Sequence, residues 1–415
     1  MRLLLINSGF DSRGAHRGSV ELFLHFRELG WDVTYFVPDR PVEHPDGVIG
    51  LRVSGERYLR ALEWLYRPIE WRHVGSRWKL GNIGVNDYDV VHLHNLHGGW
   101  ISLVAVQRLA RRIPTVWTLH DEWSITGGVA YDLSRHMHQD VIAREWPQQE
   151  LLHSQSALAK RIRSHIHRMM PIPAKVVCPS RYLCGLAEGC PHFSSASVEY
   201  VPYGVRTLDA PESLMPRSAA RKVFDIEQNA KVILLAATNL DSPYKGAHLA
   251  IGALQRIDSS VILLLAGHNA EALARCVPQR VIAPGFLHGD RDLLAAYRAA
   301  NVVLVPSVAD NLPYVALDAL ATQRPVAAFR VGGLVDIVGS DERGLLAEPF
   351  LVEQLAANVQ RILADKQLAK NMGERGLEWA RNHCNMGQFF RAHAAIYAQA
   401  AKRATARSQE PPYVV

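Results

Sequence analysis

Val232-Ile233-Leu234-Leu235-Ala236, continued by Val261-Ile262-Leu263-Leu264-Leu265, Val281-Ile282-Ala283, Val302-Val303-Leu304-Val305 and Val326-Ala327-Ala328-Phe329, decides the fold. Each run is short, rich in β-branched side chains and apolar at every position rather than at alternate ones. Such runs suit parallel strands covered on both faces, with the helical patterns between them acting as crossovers. The same alternation occupies the earlier part of the chain at Leu3-Leu4-Leu5-Ile6, Val33-Thr34-Tyr35-Phe36-Val37, Val90-Val91-His92-Leu93-His94, Thr115-Val116-Trp117-Thr118-Leu119 and Lys175-Val176-Val177-Cys178. The pattern predicts an α/β protein of two Rossmann-like domains. Their parallel sheets are expected to face each other across a cleft, since ligands bind at strand C-terminal edges in such sheets.

A length of 415 residues exceeds what one core organises and agrees with two domains. Val201-Pro202-Tyr203-Gly204-Val205 opens the linker, so the expected domains are residues 1–205 and 206–385. Residues 386–415 are expected to form a last helix that packs back toward the first domain and ends in a frayed polar tail.

The net charge of +6 is spread evenly: residues 1–205 carry 23 Lys+Arg and 20 Asp+Glu, and the remaining residues carry the same two totals. No basic patch or arm marks a nucleic-acid partner. Cys178, Cys184, Cys190, Cys276 and Cys384 are odd in number and contain no C-x-x-C pair, which reads as free thiols in a reducing compartment. Arg2-Leu3-Leu4-Leu5-Ile6 is too short for a secretory leader and reads as a first strand, so the expected location is the cytoplasm. No run reaches the roughly 18–20 apolar residues a membrane span needs. Any membrane contact is expected to be peripheral.

The chemistry gathers in three segments. Pro306-Ser307-Val308-Ala309-Asp310-Asn311-Leu312-Pro313-Tyr314-Val315-Ala316-Leu317-Asp318 places two acids eight positions apart across a loop and a helix start, with Arg324-Pro325-Val326 and Val331-Gly332-Gly333 following. A loop of turn residues running into a helix offers backbone N–H groups to a diphosphate. Thr238-Asn239-Leu240, leading to Tyr244-Lys245-Gly246, adds a cation for phosphate. Trp117-Thr118-Leu119-His120-Asp121-Glu122-Trp123, with Thr126-Gly127-Gly128 behind it, sets a histidine at a strand's C-terminal edge.

Together and in this order these segments resemble family 4 of the glycosyltransferases, which have the GT-B fold, and in the Asp-Asn-Leu-Pro form a polysaccharide-assembly branch of it. The resemblance implies a retaining transfer from a nucleotide diphosphate sugar. It implies donor contacts from Lys245, Gly246, Asn239, Asp310, Asn311, Leu312 and Asp318, with Asp310 on the sugar hydroxyls and Asp318 on the ribose. His120, Asp310 and Lys245 are the implied catalytic residues. The family usually has glutamate at both acid positions and often a second cation after the strand that here ends in Thr238-Asn239. The alternative reading has Asp310 capping the helix, Asp318 solvated and His120 tied into packing beneath Trp117 and Trp123.

Gly14-Ala15, before the helix pattern Ser19–Leu29, resembles the family's glycine-rich first loop; with Asn95 and Gly98 it is assigned to the acceptor side. Asp87-Tyr88-Asp89 matches a metal-binding D-x-D but opens a strand, away from the expected cleft edge. His92, His94 and His97 share a strand and its loop and are read as cleft-wall residues rather than metal ligands. No metal and no cofactor are expected. Two basic stretches, Arg57–Lys79 with Trp64, Trp71 and Trp78, and the acid-free His153–Lys175, suit an anionic membrane surface as well as a solvated face.

The expected function is a metal-independent transfer of a hexosyl unit from a UDP- or GDP-sugar to a lipid-linked or growing glycan in surface polysaccharide assembly. A nucleotide-sugar epimerase on the same fold, and a non-catalytic nucleotide-binding subunit, remain as alternatives.

Overall fold

The computed structural model describes residues 1–11, 14–38, 44–51, 79–135, 157–209 and 215–409. The chain divides into two units, Met1–Val201 together with the chain from Phe390, and Pro202–Phe389. Residues 52–78, which hold Trp64, Trp71 and Trp78 of the first basic stretch, lie outside the described residues, as do residues 153–156 of the second stretch and 410–415 of the tail.

The first unit is built on seven parallel strands: β1 (Arg2–Ile6), β2 (Asp32–Pro38), β3 (Val48–Leu51), β4 (Val90–Leu93), β5 (Thr115–Thr118), β6 (Lys175–Cys178) and β7 (Ser197–Tyr200). Their order is β3-β2-β1-β4-β5-β6-β7. Leu3, Leu4, Leu5 and Ile6 are fully buried, as continuous apolar runs require when helices cover both faces. Burying four such side chains contributes roughly 6–12 kcal/mol before entropy is subtracted, so a charge placed in β1 breaks the unit.

The second unit holds β8 (Val232–Asn239), β9 (Ile262–His268), β10 (Arg280–Gly285), β11 (Val302–Val305), β12 (Val326–Phe329) and β13 (Gly344–Ala347). They run parallel in the order β10-β9-β8-β11-β12-β13. Both sheets change direction of growth beside their first strand, the arrangement of a Rossmann-like fold.

Sequence reading misses β3, β7 and β13. The first two are edge strands, and every residue of β7 is only half-buried, so neither carries a strong apolar run. Gly344 opens β13 because a side chain there meets the Val326 carbonyl at 2.0 Å.

Three helix starts are set by side-chain caps. Ser102 accepts from Ala105 N–H before Leu103–Ala110, Ser180 from Leu183 N–H before Arg181–Glu188, and Asp365 from Gln367 and Leu368 N–H before Lys366–His383. The last helix, Met386–Gln409, joins the first unit from Phe390 on. Phe390 stacks on His25 at 3.7 Å, Gln399 accepts from the Lys175 ammonium at 2.7 Å, and Tyr397 is fully buried beside Phe26.

Candidate active site

In a parallel sheet every strand ends on the same edge, so the loops after β8, β9, β11 and β12 meet at one rim of the second unit. The loop after β11, Pro306–Pro313, is buried throughout. Its backbone is held from two sides by glycines. Gly246, in the left-handed region at φ +66°, lies so close to the Pro306 carbonyl that an added Cβ comes within 2.0 Å of it. Gly332, at φ +49°, lies equally close to the Asp310 carbonyl, at 1.9 Å, and Gly333 N–H donates to that same oxygen at 3.2 Å. Val308 N–H donates to the Tyr244 carbonyl at 2.9 Å and ties the Lys245 turn to the loop.

This closure brings Lys245 onto Asp310. The ammonium donates to Asp310 Oδ2 at 2.6 Å, and Ser307 Oγ donates to the same oxygen at 3.1 Å. Asp310 is 8% exposed at its side chain and Lys245 38%, so the carboxylate is largely enclosed while the cation reaches solvent. An ammonium carries three donor protons, and the bond to Asp310 uses one. The pair lines a small hollow with Leu240, Pro306, Ser307 and Pro313.

Asp310 does not cap the helix Tyr314–Ala321: its N-cap is Pro313, without a side-chain cap bond. Asp318 is buried, not solvated. Asn311 and Leu312 are buried in the loop, and Tyr314 stacks on Tyr203 at 4.8 Å. Asn239 is exposed at the end of β8, where its side-chain oxygen accepts from Asn269 Nδ2 at 2.9 Å and Asp241 N–H at 3.1 Å; it shapes the turn that leads to Lys245. At the ends of β9 and β10, His268 stacks on Phe286 at 4.3 Å with His288 edge-on, an aromatic group on the same rim that sequence reading passes over because its members are scattered.

The matching rim of the first unit holds a polar network. Asn7, fully buried after β1, donates to Ser19 Oγ at 2.8 Å and accepts from Asn95 N–H at 3.3 Å; Ser19 Oγ in turn meets Tyr35 Oη at 2.7 Å. Asn7, Ser19 and Tyr35 are further residues that sequence reading missed; the signal was a polar side chain at each of three otherwise apolar positions. Gly14 takes φ +50° and starts the turn Gly14–His16, with Ala15 half-buried, while Gly98 is exposed at φ +96°.

His120, just past β5, is buried, and its Nε2 hydrogen-bonds His94 Nδ1 at 2.9 Å. Burial pushes its pKa down to about 3, partly offset by Asp121, and holds His94 and His92 well below the ordinary histidine range for the same reason. These rings are therefore neutral at pH 7. His92 departs from the sequence reading: it is no wall residue but a fully buried one, bonded through Nδ1 to Tyr397 Oη and through Nε2 to Thr118 Oγ1, both at 2.7 Å. His97 instead pairs with Asp121 at 3.0 Å. The turn behind His120 packs on the basic helix Ala157–Met169: a side chain on Gly127 meets the Arg163 carbonyl at 2.7 Å, and His167 Nε2 reaches the Ser124 carbonyl at 3.0 Å.

Asp89 of the D-x-D sequence accepts from Arg2 N–H at 2.8 Å and Arg2 Nη2 at 2.6 Å at the start of β4, the opposite edge from His120. Among the described residues no three His, Cys, Asp or Glu side chains are grouped to hold a metal ion. Nor is any described helix long and apolar enough to cross a membrane.

The chain is similar to known proteins along most of its length. The family model "Glycosyltransferase Family 4" matches residues 12–207, and "Glycosyl transferases group 1" matches residues 217–379. An uncharacterized glycosyltransferase of Methanocaldococcus jannaschii is 25% identical over 80% of this chain and 79% of its own length. A D-inositol 3-phosphate glycosyltransferase of Corynebacterium glutamicum is 26% identical over 71% of this chain and 68% of its own. Among solved structures, sucrose-phosphate synthase from Thermosynechococcus elongatus superposes with a TM-score of 0.69 at 22% identity, covering 96% of this chain and 98% of that one. Anabaena HepE, solved in complex with UDP-glucose, superposes with a TM-score of 0.66 at 16% identity over 96% and 100%. The chain belongs to the family 4 type of glycosyltransferases with the GT-B fold, and its activity is glycosyl transfer.

Proposed function

We propose that this glycosyltransferase moves a hexosyl unit, with retention and without a metal ion, from a UDP- or GDP-sugar to a lipid-linked or growing glycan in surface polysaccharide assembly. The observation that carries the donor half is Lys245 held at 2.6 Å from Asp310 beside the hollow on the second unit's rim. In this reading Lys245, Gly246 and the N–H groups at the start of the helix Tyr314–Ala321 take the diphosphate. Asp310, with Asn311 and Leu312, takes the sugar hydroxyls, Asp318 takes the ribose, and the stacked His268 and Phe286 offer a flat face to the base. That Anabaena HepE was solved with UDP and with UDP-glucose supports a UDP-sugar.

Retention without a carboxylate nucleophile follows if the acceptor hydroxyl attacks from the leaving-group side. The bond from the anomeric carbon to the phosphate oxygen breaks, the bond to the acceptor oxygen forms, and the departing diphosphate takes the acceptor's proton. Catalysis is then positioning plus stabilisation of the diphosphate charge, with Lys245 supplying the positive charge. The first unit's His120 is assigned to the transferred sugar, and Gly14, Ala15, Asn95 and Gly98 to the acceptor. We further assign the exposed Lys160, Arg161 and Arg168 of the helix Ala157–Met169 to an anionic membrane surface, in keeping with a cytoplasmic enzyme acting on lipid-linked acceptors.

The test is calorimetric binding of UDP, GDP and their sugars, followed by turnover with and without EDTA. Binding of one nucleotide and EDTA-resistant, acceptor-dependent transfer is the expected result. Turnover without acceptor points to an epimerase, binding without turnover to a non-catalytic subunit, and activity lost to EDTA and restored by Mg²⁺ or Mn²⁺ ends the metal-independent reading.

A further inference from the structure

The opposite edge of the second sheet, where β11 and β12 begin, gathers four arginines. Arg217 and Arg221 lie on the helix Arg217–Val223, Arg298 in the last turn of the helix Asp290–Ala299, and Arg324 in the turn before β12. Arg221 is buried and wholly engaged by the protein: its three nitrogens donate to the carbonyls of Ala299, Glu227, Gln228 and Ala230 and to Asn301 Oδ1. It needs nothing more.

The other three are half-buried and differently placed. Arg298 Nη1 and Arg324 Nε donate to one and the same oxygen, the Thr322 carbonyl, at 3.3 and 3.2 Å, so two guanidinium groups meet on a single acceptor. Arg324 Nη1 reaches the Ala300 carbonyl at 3.2 Å, next to the Ala299 carbonyl that Arg221 takes. Arg217 Nε is buried and has no hydrogen-bond partner. Among the described residues no carboxylate pairs with any of the four. The mutual repulsion is felt: burial and the neighbouring guanidinium charges together push Arg324 down to about 9 and Arg217 down to about 10.

Helix-end carbonyls account for Arg298 and Arg324 in part, because cations are favoured at helix C-termini. They do not account for Arg217, nor for bringing like charges together where no acid among the described residues offsets them. A doubly charged oxyanion does. It accepts from planar guanidinium forks approaching from several sides, which is the arrangement in which arginine binds phosphate best.

We propose that Arg217, Arg298 and Arg324 form a binding site for a phosphate group, at the edge of the second unit's sheet remote from Lys245 and separate from the donor site. The four residues of β11 alone put about 13 Å between the two edges. The phosphate arrives either free, as inorganic phosphate or a small phosphomonoester, or on a lipid headgroup; the chemistry recognised is the same.

Arg217→Gln tests this cleanly, because among the described residues the Arg217 side chain holds no hydrogen bond whose loss would unfold the unit. Thermal unfolding of the full chain is followed against inorganic phosphate, with chloride at matched ionic strength as the control, and sedimentation is followed with phosphatidic acid vesicles against phosphatidylcholine vesicles. Wild type is expected to gain stability saturably with phosphate, or to sediment with phosphatidic acid alone; the first result marks a free phosphate and the second a headgroup. Arg217→Gln is expected to raise the half-saturating concentration at least tenfold, or to abolish sedimentation, while being no less stable than wild type when phosphate is absent. Arg298→Lys, which keeps the charge and loses the fork, is expected to fall between them, and Lys245→Ala to retain the response. Equal responses of wild type and Arg217→Gln in both assays, or a response lost in Lys245→Ala and kept in Arg217→Gln, overturn the proposal.

Discussion

Replacing Lys245 by alanine is expected to weaken nucleoside diphosphate binding about ten- to a hundredfold, and the structure says how that loss divides. A hydrogen bond to a charged group contributes about 1.5–3 kcal/mol, and about 1.4 kcal/mol is a factor of ten in affinity. Lys245 also neutralises Asp310, whose carboxylate is 8% exposed; in the variant Ser307 Oγ, 3.1 Å away, stays on it and the charge is left uncompensated beside the incoming phosphates. Two costs therefore fall on the one substitution. Asp310→Asn removes the second without the first, so Lys245→Ala/Asp310→Asn should bind diphosphate better than Lys245→Ala does, with a coupling of about 0.5–3 kcal/mol, the range for residues in direct contact. Asp310→Asn alone should bind bare UDP or GDP at least as well as wild type while turning over the sugar nucleotide poorly. Calorimetric titration of the four proteins at one ionic strength measures this, with thermal unfolding as the check on folding. Unchanged affinity in Lys245→Ala, or a double variant no better than Lys245→Ala, refutes the argument.

Gly246→Ala should destabilise the second unit by more than the roughly 1–2 kcal/mol that the left-handed backbone alone costs, because its Cβ meets the Pro306 carbonyl at 2.0 Å; an unchanged denaturation midpoint refutes the close approach. Acid should weaken the fold, since unfolded histidine takes up a proton from about pH 6.5 downward whereas folded His120, at about 3, refuses it, as do the lowered His92 and His94. Stability is thus full well above pH 6.5 and falls as the pH drops through it, by about 1.4 kcal/mol at pH 5.5 for His120 alone; equal unfolding free energies in denaturant at pH 7.5 and 5.5 refute it. Changing Arg161, Arg163 and Arg168 together to Gln should abolish sedimentation with phosphatidylserine vesicles at low salt, at about 1 kcal/mol per cation near the surface; retained sedimentation makes that helix a solvated face.

The two sheets were legible because parallel strands buried on both faces have a signature of their own, an uninterrupted apolar run. β7 carries no such run: Ser197-Val198-Glu199-Tyr200 is a half-buried edge, held by pairing with β6 rather than by its own apolarity. Side-chain partners were the harder part. Lys245 and Asp310 can each be picked out as polar residues beside strands, but nothing in the sequence says that residues 65 positions apart bond to each other. His92 was misread for the same reason, as the hydroxyl that buries it belongs to Tyr397, 305 positions on. Gly332 looks like an ordinary turn glycine until the Asp310 carbonyl is seen beneath it.

The clamping of the Pro306–Pro313 backbone between Gly246 and Gly332 bears on how such enzymes are re-engineered. Three stretches far apart in the chain form one mechanical part, in which the loop after β11 has no room to shift without moving the turns after β8 and β12. Because the clamp acts on main-chain atoms, changes that keep the loop's length and path can be accommodated by it. Insertions or deletions in that loop cannot be, so a graft that changes donor choice through loop length has to carry residues 238–246, 306–318 and 330–334 as a single cassette.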